Sequence, residues 1–100
     1  MSEINLAMIN RAGVAALPVV VARLLPGGEI FGRDYIARER RHDRRPGSFK
    51  VKLFGAHAGT WADFATGDRG GDPVSLVAHL ERVSEADAAL HLARMLGIAP

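Results

Sequence analysis

From Ser48 to Leu53 the chain alternates strictly, with Phe49, Val51 and Leu53 separating Ser48, Lys50 and Lys52. Successive side chains of a strand leave opposite faces, so this stretch makes a half-buried strand with an apolar inner face and a basic outer one. A register shift of one residue would exchange the two faces and bury the lysines. The segment Phe54 to Gly59 is turn-forming and leads into a second strand around Thr60 to Ala65. The two strands are expected to pair as a hairpin whose loop is longer than the tightest type, with Trp61 and Phe64 in the second strand or at its end.

Helical patterns flank this hairpin. Ile4, Leu6, Met8 and Ile9, then Val14, Leu17, Val20, Val21, Leu24 and Leu25, recur at mostly helical spacing. Gly13 and Pro18 interrupt them, and a proline is tolerated in a first helical turn but not in an interior, so two short helices are expected with the break before Pro18. Pro26, Gly27 and Gly28 end the helical region, and Glu29 to Ala37 has the β-branched and aromatic content of one strand. Further on, Thr66 to Gly71 reads as a polar loop. Asp72 and Pro73 then stand as N-cap and first residue of a helix that uses Val74, Val77, Ala78 and Leu80 as its apolar face and stops near Arg82. Ser84 with Asp87 resembles a capping box for a last helix, in which Ala88, Leu92 and Leu96 face inward and Gly97 serves as the C-terminal cap. The expectation is one α+β domain over residues 1–100, a small antiparallel sheet packed with N-terminal and C-terminal helices.

Composition narrows the function. Of 100 residues 48% are hydrophobic, enough for a modest core with little room for a catalytic cleft. No cysteine is present, which excludes disulfides and thiolate metal sites and fits a cytoplasmic protein. Met1 to Ile9 does not read as a secretory signal, and the longest apolar run, Val14 to Ala22, contains Pro18 and falls far short of a membrane span. Net charge is only +2, but its distribution is uneven. Between Arg33 and Lys52 lie the eight basic residues Arg33, Arg38, Arg40, Arg41, Arg44, Arg45, Lys50 and Lys52, against Asp34, Glu39 and Asp43, and the remainder of the chain is net negative. A basic segment on an otherwise acidic domain is the electrostatic footprint that phosphate backbones select.

Several residues in sequence order resemble the zinc-binding domain of bacterial-type DNA primases, over Ala37 to Ile98. Arg45, Pro46, Gly47, Ser48 and Phe49 stand where that family has a T-P-S-F segment before a strand. Trp61 to Phe64, Gly67, and the run Gly71-Asp72-Pro73-Val74-Ser75-Leu76-Val77 follow the family's aromatic strand, knuckle and capped helix. Ser84 to Ala88 and Leu96-Gly97-Ile98 echo its closing helix. The resemblance implies a zinc-ribbon-like sheet, but the four zinc-ligand positions fall on Glu39, His42, Phe64 and Gly67, and neither Phe64 nor Gly67 has a donor side chain. A zinc-less variant is therefore expected, with no metal and no other cofactor, in which Trp61 and Phe64 pack where the family has its metal.

The expected function is non-catalytic binding of single-stranded DNA, or RNA, within phage, plasmid or chromosomal replication machinery. The eight basic residues would track phosphates, and Trp61 and Arg69 are secondary candidates for base or backbone contact. Each feature has a plainer reading: a solvated charge run, a core tryptophan, and a glycine-assisted turn for Gly67 to Gly71. His42, His57, His79 and His91 are dispersed, and Asp63, Asp68 and Asp72 come with no activated nucleophile or base at convincing spacing, so no catalysis is expected. The alternative function is docking onto a primase or helicase subunit through the apolar surface of Ile4 to Leu25.

Overall fold

The computed structural model describes residues 5–37 and 49–98, which form an α+β fold of four helices and a five-stranded antiparallel sheet. Helices α1 (Leu6–Ala15) and α2 (Leu17–Leu24) meet at 90°. Strands β1 (Glu29–Phe31), β2 (Asp34–Ala37), β3 (Phe49–Lys52), β4 (Trp61–Asp63) and β5 (Asp68–Gly70) pair in simple chain order, and helices α3 (Pro73–Glu81) and α4 (Glu85–Leu96) follow. Among the described residues no single helix is long and apolar enough to cross a membrane.

The helices begin and end for local reasons. Asn5 Oδ1 accepts from Met8 N at the start of α1, and Pro18 lies in the first turn of α2, where its missing N–H leaves no intrahelical bond unmade. Asp72 Oδ1 accepts from Ser75 N at 2.7 Å, and Ser84 Oγ accepts from Asp87 N at 3.1 Å, so both expected N-caps are in place. Another orphan donor of α3, Val74 N, is met from across the fold by Asn10 Oδ1 of α1 at 2.8 Å. Gly13 makes this approach possible, because a Cβ there would lie 2.9 Å from Pro73 Cβ. Gly97 ends α4 with φ +70°.

Two expectations about the strands are corrected. Glu29 to Ala37 is not one strand but the hairpin β1–β2, in which Phe31 pairs with Asp34 across a turn of Gly32 and Arg33. Gly32 sits at φ +61°, a left-handed conformation at the first central position that matches the twist of the strands and that glycine adopts without strain. The polar segment after Thr66 is not simply a loop, because Asp68–Gly70 returns as edge strand β5, with Asp63 opposite Asp68 and Ala62 opposite Arg69.

The core lies on one side of the sheet. Tyr35, Ala37, Phe49, Val51, Leu53 and Trp61 meet Leu17, Val21 and Leu25 of the α2 region and Leu76 and Leu80 of α3. Behind them a second cluster joins Ile9, Val20, Val74, Val77, Ala88, Ala89, Leu92 and Ala93. Helices α2 and α3 thus form a middle layer with sheet on one side and α1 and α4 on the other. Tyr35 ties the end of α2 to the sheet, its hydroxyl donating to Leu25 O at 2.5 Å and accepting from Gly28 N at 3.1 Å.

Candidate functional site

The inner and outer faces of β3, β4 and β5 carry different chemistry. On the inner face Phe49 and Trp61 stack with ring centroids 5.7 Å apart, and the His79 ring of α3 lies 4.6 Å from Trp61. Trp61 Nε1 donates to Ser75 Oγ at 2.9 Å, and Ser75 Oγ in turn donates to Asp72 O, so the tryptophan is fastened to the start of α3. Beside these rings Asp63 is buried, and His79 Nε2 approaches its Oδ2 to 2.8 Å. Asp63 Oδ1 accepts from Ala65 N at 3.0 Å and Thr66 N at 3.4 Å, which holds the turn into β5. Asp68 Oδ2 stands 3.7 Å from His79 Nδ1.

Of the expected aromatic pair, only Trp61 packs in the core. Trp61 is 4% exposed, but Phe64 is 59% exposed and cannot act as an internal clamp between turn and sheet. The clamp is polar, made by Asp63 and His79. Among the family's zinc positions, Phe64 and Gly67 offer no side-chain donor, while Glu39 and His42 lie outside the described residues. Among the described residues no group of three or more His, Asp or Glu side chains is placed to hold a metal ion.

The outer face of the sheet is open. Lys50 of β3, Ala62 of β4 and Arg69 of β5 are direct cross-strand neighbours, and Lys52 stands opposite Asp34 of β2. Lys50 and Arg69 thus flank a small side chain, and the result is a groove of about 380 Å³, within the size range of small-molecule sites. Its lining includes Asp34, Lys50, Lys52, Ala62, Phe64 and Arg69. Three cations, one exposed aromatic ring and one carboxylate therefore share one concave surface. Lys50 Nζ lies 3.9 Å from Asp34 Oδ2, a half-exposed pair that contributes little to stability.

Of the expected site residues, the structure brings Lys50, Lys52 and Arg69 together in the groove. Trp61 also lines it, but its ring is committed to the core and leaves no open face for a base to stack on. Arg33 is exposed in the β1–β2 turn, with its carbonyl accepting from Leu53 N, and is not among the lining residues. Arg38, Arg40, Arg41, Arg44 and Arg45 lie outside the described residues. Sequence reasoning missed Phe64 as the exposed ring and Asp34 as the acidic wall of this surface. It also missed Asp63, although the alternation Trp61-Ala62-Asp63 already sets Asp63 on the same face as Trp61. No family model and no curated protein matches the chain.

Proposed function

We propose that the outer sheet face binds single-stranded nucleic acid, DNA template first and RNA as the alternative, and that the domain is a non-catalytic module of cytoplasmic replication machinery. The observation that carries this reading is the convergence of Lys50, Lys52 and Arg69 on a groove walled by the exposed Phe64 ring. Single strands are held by cations that follow the backbone and by aromatic rings on which unstacked bases lie, and the lining of this groove includes both. The resemblance of residues 37–98 to a primase zinc-binding domain supports the same assignment from the sequence side.

Titration of the labelled protein with a short single-stranded DNA, followed by NMR, tests the proposal. Amide shifts at Lys50, Lys52, Ala62, Phe64 and Arg69 that fade as salt is added are the expected result. No shift at low salt overturns it. Leu6, Met8 and Val19 are exposed on the N-terminal helices and favour a second reading, docking onto a primase or helicase subunit. Capture of such a subunit insensitive to salt and to charge removal in the groove would place that reading first.

A further inference from the structure

Asp34 is out of place on a phosphate-binding surface. It lies on β2 directly opposite Lys52 and lines the groove, where its negative charge opposes any phosphate drawn in by the lysines. Its Oδ2 is shared with Lys50 at 3.9 Å, while its Oδ1 is closed off from solvent and has no hydrogen-bond partner among the described residues. An acceptor closed off from water without a donor costs stability, and the carboxylate's other oxygen, Oδ2, meets Lys50 only at ion-pair distance. Oδ2 is therefore the atom left to accept from a ligand that brings a donor. In a DNA strand the phosphates and deoxyriboses present only acceptors near neutral pH, and the donors are the N–H groups of the bases.

We infer that Asp34 reads the hydrogen-bonding edge of a base, and that the groove holds a nucleobase with an amine donor beside a ring acceptor, of which cytosine is the simplest. The inference rests on the nucleic-acid reading of the face. Asp34 and Lys50 set an acceptor next to a donor, the complement of the cytosine amine and its neighbouring ring nitrogen, and a carboxylate accepting from that amine is an established mode of base readout. The Lys50 side chain is 45% exposed and meets Asp34 only at 3.9 Å, so its ammonium has room to donate to the ring nitrogen while Asp34 Oδ2 accepts from the amine. Phe64, exposed and also lining the groove, supplies a ring for a neighbouring base.

The sign of one mutational effect separates base reading from a mere counter-ion. Fluorescence anisotropy at low salt would compare a short oligodeoxycytidylate with an abasic strand of equal length, on the parent chain, Asp34→Ala and Asp34→Asn. Asp34→Ala is expected to bind the cytidylate about tenfold more weakly even though it is less negative, and to bind the abasic strand more tightly. Asp34→Asn keeps an amide oxygen and is expected to retain the preference for the cytidylate. If Asp34→Ala tightens both probes alike, Asp34 is only a counter-ion and the inference falls while the phosphate surface stands. Equal weakening of both probes by the two variants also counts against it, as a general defect of the face. If the parent binds neither probe, the nucleic-acid reading itself fails.

Discussion

His79 Nε2 lies 2.8 Å from Asp63 Oδ2 and so joins the last turn of α3 to the end of β4. The same carboxylate caps the turn that leads into β5. Its position decides where Arg69 stands, because β5 is an edge strand of three residues with only β4 to pair with. One buried carboxyl group therefore links the core to the groove, and the His79 ring completes the aromatic stack behind it.

His79→Ala should destabilise the domain by about 2 to 4 kcal/mol, since it leaves Asp63 buried with one oxygen unpartnered. Asp63→Ala should cost a similar amount, and the double variant much less than the sum, because the two act as one unit. Urea unfolding of the four proteins gives the coupling directly. Additive effects would show that the contact holds nothing together.

Trp61→Ala and Phe64→Ala should part company. Truncating the buried indole is expected to cost about 3 to 5 kcal/mol, whereas the exposed phenylalanine should change stability by no more than about 0.5 kcal/mol. Phe64→Ala should instead weaken single-stranded DNA binding, by an amount in the range of about 1 to 3 kcal/mol measured for base–aromatic stacking. Thermal melts and a binding isotherm on the two variants decide it. A Phe64→Ala protein that melts like Trp61→Ala would place that ring in the core after all.

Replacing Lys50, Lys52 and Arg69 together by Ala should leave the melting temperature nearly unchanged, because all three extend from the sheet face opposite the core. Binding to single-stranded DNA should weaken and its dependence on log salt should flatten by about 0.7 per lost phosphate contact. An unchanged slope would mean that the phosphates are held elsewhere.

Gly70→Ala should destabilise by about 1 to 3 kcal/mol, as a Cβ there collides with Trp61 Nε1 and Ser75 Oγ and forces apart the bond that fastens the indole to α3. Gly71→Ala, where a Cβ meets nothing within 4 Å, is the control and should be nearly neutral. The pair of melts separates a packing requirement from a general need for glycine in this turn.

Local chemistry alone determined most of the elements. The Phe49 to Leu53 alternation, the placement of Pro18, the caps at Asp72 and Ser84 and the glycine after Leu96 depend on a few neighbouring residues, and all stand as the sequence reads. What failed was decided by pairing or by depth. Glu29 to Ala37 reads as one strand because its composition is uniformly strand-like, and only the register of Phe31 with Asp34 reveals the turn at Gly32. Asp68 to Gly70 has no apolar alternation, since an edge strand of polar residues takes its stability from the ladder it joins rather than from its own side chains. Which of two nearby aromatics is buried also lay beyond the sequence. Trp61 stands within β4 on the core face, whereas Phe64 follows the strand's end, where Asp63 has already turned the chain by capping the next backbone amides. The groove exists for the same tertiary reason: Lys50, Ala62 and Arg69 are remote in sequence and become neighbours only through the hydrogen-bonded register of three strands.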